Sequence, residues 1–533
     1  MIHFQIPRNS PTLYKSIKCT HTDQTSTPII SNSLSHYLCD IKQRIDHQEH
    51  DWDVFKRYTN PYEYIHTNIP GKRKSICKLK PLSRSYFKMI ELVQFFRLLD
   101  VPKPVINSTN NVVKGFKSFH LAEGPGGFIE ALAHMRNCKS DEYIGMTIID
   151  NIPDPNIPAW KKSQHFLREN PNVKIETGID QTGDILSPTN FKYCREKYAG
   201  QMDIITGDGG FDFSVDFNNQ EQHIAKLLFG QIVYALCMQK YGGSFILKIF
   251  DCFMQHTLDA LAILSAFYEK VFITKPQTSR YANSEKYLVC KGFLFNEIMM
   301  LDVIPVLDNA FNQMVNLDEW SNRNNGFGQD LSDINVFRFL SVPLSISFTN
   351  RLEEFNAIFG QQQIENIYYT LALIDNKHKQ ERIDALIKAN SQKCVNWCIK
   401  HNVIYFPLVA PIVSSHTTQG SHYGSGHNNN NAFIHFTRFP SSTDPKIAST
   451  EPVFKTTIQI TNPVTSLTNM SSSLTNMSSS LTNPVTSLTN MSSSLTNMSS
   501  SLTYQPSNLT YQPSNLTYQP SNLTYQNELN LFI

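Results

Sequence analysis

The chain has 533 residues, enough for two or three domains, with 17% charged and a net charge of +2. That balance shows no global basic excess of the kind that marks a nucleic-acid partner. No uncharged apolar run reaches the roughly 18 residues of a membrane-spanning helix, and the opening "MIHFQIPRNSPTLYKS" has no apolar signal-like core, so a secreted or membrane protein is not expected. The ten cysteines are scattered without a CxxC pair, which predicts reduced thiols in a cytosol-like compartment. Cys394 and Cys398 can share a helix face, but two thiols alone make a poor zinc site.

In chain order, the first local feature is the basic run "GKRKSICKLK", Gly71 to Lys80. It reads either as a solvated loop or as phosphate contacts for a nucleic acid. "RSYFKMIELVQFF" follows as an amphipathic helix carrying Lys88. From about Leu82 to Phe293 strand-like and helix-like runs alternate. "KSFHLA", "EYIGMTII", "NVKIETG", "MDIIT", "GSFILKIF", "KVFIT" and "EKYLVCKGF" are the strands, and "FIEALAHMR", "NQEQHIAKLLFGQIVYALCMQK" and "TLDALAILSAFY" are helices between them. This alternation predicts an α/β domain with a mostly parallel sheet, whose ligands bind beyond the carboxyl ends of the strands.

"FHLAEGPGGFIEAL" reads as strand, tight turn and helix. A dinucleotide site would want G-x-G-x-x-G, and a P-loop would want G-K-[ST]. Neither pattern is present. The remaining reading is the first loop of an S-adenosylmethionine methyltransferase, whose helix start receives the methionine carboxylate. Further on, Asp208 ends a strand between glycines in "MDIITGDGG", and Glu285 stands at the mouth of another in "NSEKYLVCKG". Lys248 lies inside the apolar strand "GGSFILKIF", where an uncompensated ammonium ion is costly. Each residue has an ordinary reading as a helix-surface lysine, a turn aspartate, a strand-start glutamate or a strand-end lysine.

Residues from about Leu301 to Phe406 have helical periodicity, as in "RLEEFNAIFGQQQIENIYYTLALI". The stretch with His416, His422 and His427 reads as a flexible linker. Leu467, Leu474, Leu481 and onward to Leu523 then recur every seven residues, in a tail free of charge from Thr456 to Gln526. One Leu per heptad among Ser, Thr, Asn and Pro cannot form a coiled-coil seam, so a disordered tail is expected. The expected segments are an extension at 1–80, a catalytic domain at 81–300 and a helical accessory domain at 301–410. A linker at 411–455 and the low-complexity repeat tail at 456–533 complete them.

Taken together, "RSYFK", "DIITGDGG", "GGSFILK" and "NSEKYLVCKG" resemble the FtsJ-like (RrmJ-type) RNA ribose 2′-O-methyltransferases, which use a Lys-Asp-Lys-Glu tetrad in this order. "LAEGPGGFI" and "TSRYANSEKYLVCKGF" look most like the mRNA cap branch found in eukaryotes and large DNA viruses. The resemblance implies a Rossmann-like methyltransferase fold with a mostly parallel seven-stranded sheet, plus the C-terminal helical region. It implies catalytic Lys88, Asp208, Lys248 and Glu285. It also implies S-adenosyl-L-methionine held by Glu123, Gly124, Pro125, Gly126, Gly127, Thr147, Asp184 and Asp208. Thr147 stands nearest the place where the family often has a ribose-binding acid, and Asp150 comes a few residues late. No metal is implied.

The implied reaction is methyl transfer to a ribose 2′-hydroxyl of the first or second nucleotide of capped mRNA. The alternatives are an rRNA or tRNA enzyme and an inactive RNA-binding subunit of a capping complex. RNA and other capping enzymes are the implied partners. The implied location is the cytoplasm, with a viral factory or virion for a viral source and the nucleus for a cellular one. In this reading Lys248 steers or deprotonates the hydroxyl, Asp208 orients Lys248, and Lys88 and Glu285 position the ribose. A free lysine titrates near about 10.4, and lowering it to about 8 takes roughly 3 kcal/mol of differential stabilisation. Burial and a second lysine push that way, whereas Asp208 and Glu285 push back.

Overall fold

The computed structural model describes residues 1–24, 27–100, 115–149, 159–210, 219–317 and 334–408. The linker, the repeat tail, the three linker histidines and Asp150 lie outside them. Met1–Thr417 form one compact unit. No helix among the described residues is long and apolar enough to cross a membrane.

The predicted alternation produces the central sheet. Its strands are β1 (His3–Gln5), β3 (Lys117–Leu121), β4 (Glu142–Met146), β5 (Val173–Glu176), β6 (Met202–Gly207), β7 (Gln239–Ile249), β8 (Tyr268–Thr274) and β9 (Lys286–Phe293), and β2 (Ile17–Thr22) lies apart. Their order is β1-β8-β9-β7-β6-β3-β4-β5. The pairs from β5 to β7 are all parallel, whereas β9 inserts antiparallel between β7 and β8. Among the described residues the sheet has eight strands rather than the expected seven. The extra one is β1, which lies antiparallel on β8 with His3 opposite Thr274. Three residues are too few to show a periodicity, so this edge strand left no pattern to read.

Side-chain alternation sorts the strands into two covered faces. Phe245, Leu247 and Ile249 join one apolar core, with α8 (Ala225–Met238) and α9 (Gln255–Phe267) packed over it. Ile246, Tyr287 and Val289 face the other core, covered by α3 (Ser85–Phe96) and α4 (Gly127–Arg136). Lys248 follows Ile246 by two residues and so belongs to the α3 side. The expected amphipathic helix at Lys88 is buried on nearly every side, because the C-terminal helix α12 (Gln380–Lys400) covers what would have been its solvent face.

The segment expected to be helical after 301 also contains a strand. β10 (Asn335–Leu340) pairs antiparallel with β2, and Phe339 stacks on Phe229 of α8 at 4.1 Å. Between it and α12 runs α11 (Ile346–Asp375), whose Ile367, Leu373 and Ile374 pack with Leu38, Ile41, Trp52 and Phe55 of the N-terminal helices α1 (Asn32–Asp46) and α2 (Glu49–Thr59). The N-terminal and C-terminal segments thus share cores with each other and with the sheet.

Candidate active site

Lys88, Asp208, Lys248 and Glu285 come from α3, the turn after β6, β7 and the residue before β9, and they converge at one place. Lys88 Nζ donates to Glu285 Oε2 at 2.7 Å. Lys248 Nζ donates to the Asp208 backbone carbonyl at 2.6 Å and lies 3.4 Å from Asp208 Oδ1. Tyr287 links the two pairs. It stands directly across from Lys248 in the β7–β9 register, its hydroxyl donates to Asp208 Oδ1 at 2.8 Å, and it accepts from Lys88 at 3.3 Å.

Local anchors fix each member. The Gly209 N–H donates to Oε1 of buried Gln231 on α8 at 3.1 Å, which holds the turn carrying Asp208. Gly210 leaves space for the ammonium group, since a Cβ there would come within 3.0 Å of Lys248 Nζ. Glu285 accepts from Ser279 Oγ at 2.6 Å through its other oxygen. Lys275 Nζ donates to the Glu285 and Asn283 backbone carbonyls, each at 2.7 Å.

Electrostatics separate the members. Burial alone would raise the Glu285 carboxyl, but Lys88, Lys248 and the hydrogen bonds from Lys88 and Ser279 hold it well below the usual carboxylate range. Glu285 is therefore ionised at neutral pH. Burial is the largest influence on Lys88 and holds it below the ordinary lysine value, against the opposing pull of Glu285 and Asp208. Burial, Asp208 and Glu285 push the Tyr287 phenol well above its ordinary value, so it remains a donor.

The expected methyl-donor residues gather at the carboxyl edge of β3, β4 and β5. Gly126 caps α4 with φ of 102°, a left-handed conformation that favours glycine. Thr147 is nearly buried just past β4, and the Ile149 N–H reaches the Thr182 carbonyl at 2.8 Å, which brings the Asp184 loop alongside. Asp184 Oδ1 accepts from the Leu186 N–H at 2.8 Å.

Glu123 is engaged within the protein. Its Oε1 accepts from the Phe128 and Ile129 N–H groups, and its Oε2 accepts from Thr206 Oγ1 at 3.0 Å and lies 2.9 Å from His120 Nδ1. Those first amides of α4, expected to receive the donor's carboxylate, are capped from within the protein. Pro125 lends only its carbonyl, to Ser163 Oγ at 2.5 Å. Among the described residues no group of three or more His, Cys, Asp or Glu side chains is placed to hold a metal ion.

Sequence reasoning missed Tyr287, Ser279 and Gln231. Tyr287 alone left a signal: two residues past Glu285 in a strand, it must share that residue's face.

Comparison with known proteins finds methyltransferases. Residues 81–293 match the FtsJ-like methyltransferase family. The cap-specific mRNA (nucleoside-2′-O-)-methyltransferase 2 of Drosophila melanogaster is 25% identical over 280 residues, covering 49% of this chain and 36% of the relative. The mouse (Mus musculus) protein of the same name is 25% identical over 404 residues, 72% of this chain and 46% of that one. The cap-specific mRNA (nucleoside-2′-O-)-methyltransferase 1 of Pongo abelii is 36% identical over 276 residues, 50% of this chain and 30% of the relative. The chain thus spans less than half the length of each of these relatives.

Proposed function

We propose that this chain, whose residues 81–293 belong to the FtsJ-like methyltransferases, methylates a ribose 2′-hydroxyl in the first or second transcribed nucleotide of capped mRNA. The observation that carries the reading is the single hydrogen-bonded network through Lys248, Asp208, Tyr287, Lys88 and Glu285. The cap-specific names of the relatives support the choice of substrate.

S-adenosylmethionine would supply an electrophilic methyl carbon on a sulfonium. The residues that would hold it are the Gly124–Gly127 turn, Thr147 and Asp184 at the carboxyl edge of β3–β5 and Asp208 just past neighbouring β6. They fit it chemically, because Asp184 has one carboxylate oxygen turned to its own loop and the other without a partner among the described residues. Lys248 Nζ donates to the Asp208 backbone carbonyl and stands 3.4 Å from the Asp208 carboxylate. An N–H not engaged with that carbonyl would hold the 2′-oxygen in line and assist removal of its proton. Lys88 and Glu285 orient the ribose, and most of the acceleration comes from that alignment.

RNA would approach along the basic run. Lys72, Arg73, Lys74, Lys78 and Lys80 are exposed, and no acidic residue lies between His66 and Lys80. Residues 404–406 pair with 76–78, which places Phe406 under the Lys74 and Lys78 ammonium groups at 4.8 and 5.3 Å. These cations precede in the chain the helix α3 that carries Lys88.

The test is radiolabelled methyl transfer to matched capped and uncapped transcripts, followed by nuclease mapping of the labelled nucleotide. Label in the first or second ribose of capped RNA alone is expected. Equal labelling of uncapped RNA would move the substrate to another RNA class, and no labelling of either would overturn the reading.

A further inference from the structure

A second buried carboxylate lies one turn past Lys88 on α3. Glu91 is 2% exposed, and its oxygens accept from the Gln277 N–H at 2.7 Å, the Thr278 N–H at 2.9 Å and Trp397 Nε1 at 3.0 Å. Burying a carboxylate is costly, and three converging N–H donors offset that cost. The same loop is gripped from its other side, where Arg84 Nη2 donates to the Thr278 carbonyl at 2.9 Å. Ser279 comes next in the chain and holds Glu285 Oε1. A continuous path therefore runs from Trp397 on α12 through Glu91, Thr278 and Ser279 to Glu285 and Lys88.

Packing alone does not require a charge there. Trp397 already meets the Phe87 ring edge-on at 5.7 Å, and Val395 and Cys398 are buried in the same core, so an apolar residue at position 91 could also fill the space. What an apolar residue could not do is fix the backbone N–H groups of residues 277 and 278.

We propose that Glu91 is a positioning residue for methyl transfer: it sets the 277–279 loop so that Ser279 holds Glu285 against Lys88, and it makes α12 part of the support of the active site. This rests on the methyl-transfer reading above. Relaxing the loop displaces Glu285, and misplacement on the ångström scale in a positioned site costs roughly 100-fold in rate.

The test uses the full chain with capped RNA. Glu91→Gln and Ser279→Ala should each lower kcat roughly 10–100-fold, with the RNA KM and calorimetric S-adenosylmethionine affinity unchanged. Because both act through Glu285, the double variant should lose no more than the worse single one. Trp397→Phe keeps an aromatic ring at the position, removes the indole N–H donor and should give a smaller loss with the same non-additivity, which covers a Glu91→Gln chain that does not fold. Wild-type kcat in Glu91→Gln or Trp397→Phe, or losses that multiply with Ser279→Ala, would overturn the proposal. A wild-type chain that never labels RNA sinks the methyl-transfer reading and this one with it. An active wild type with a normal Glu91→Gln sinks this one alone.

Discussion

Lys88 and Lys248 reach the same small volume from opposite elements, yet the protein holds them in different ways. Lys88 is closed in by a carboxylate and a phenol; Ser279 secures that carboxylate in turn, and Lys275 holds the backbone carbonyl of the same residue. Lys248 is tethered mainly by one backbone carbonyl, its carboxylate partner is 3.4 Å away, and a glycine keeps space beside its nitrogen. The first arrangement is a frame and the second is a poised donor. One tetrad thus contains two kinds of lysine, and the proposed role of Lys248 at the 2′-hydroxyl rests on that difference.

The largest expected effects separate them. Lys248→Met should lower methyl transfer roughly 10²–10⁴-fold while changing stability by only about 1–2 kcal/mol. Lys88→Met should also remove activity, but it leaves the Glu285 charge buried without its partner and should cost roughly 3–5 kcal/mol in urea unfolding. Adding Glu285→Leu to Lys88→Met should restore much of that stability and none of the activity. Equal stability losses from the two lysine variants would break the distinction.

Tyr287→Phe probes the link between frame and donor. Removing one hydroxyl takes a hydrogen bond from Asp208 and another from Lys88. Activity should fall about tenfold, as the loss of alignment at one contact suggests, with a stability change of about 1 kcal/mol. A wild-type rate in this variant would mean that the two pairs work independently.

The distinction between the lysines was only half visible in the sequence. The strand runs, the glycine turn and the four motif residues could all be read because they sit in local patterns, Lys88 on a helix and the other three in a strand or at a strand end. Lys248 looked misplaced in an apolar strand, and the structure explains it: alternation puts Lys248 on the α3 face, opposite Tyr287. What stayed hidden depends on contacts between distant segments. Nothing near Lys88 indicates that Trp397 lies some three hundred residues on and beside its helix, and that cover turned an amphipathic expectation into a buried helix. Glu123 is the opposite case. It stands in a motif, but a local capping bond to Phe128 and Ile129 competes for the carboxylate that the motif seemed to offer a ligand.

The smallest effect concerns protons and tests whether Glu285 belongs to the frame. Its folded carboxyl lies below the ordinary glutamate value of about 4.3. The unfolded chain therefore binds the proton first on acidification. The stabilisation from this group is fully present above about pH 4.3 and is lost as pH falls through the lowered folded value, each unit of depression being worth about 1.4 kcal/mol. The stability difference between wild type and Glu285→Gln should thus stay level from neutrality to about pH 5 and shrink below it. Burial also pushes His66 down to about 3 and His256 and His401 to about 4, which destabilises the acid fold because the unfolded chain protonates them earlier. Those histidines are common to both chains and cancel in the difference. Denaturant titrations at several acidic pH values measure it, and a difference that grew on acidification would place the proton on Glu285 and remove the ionic frame.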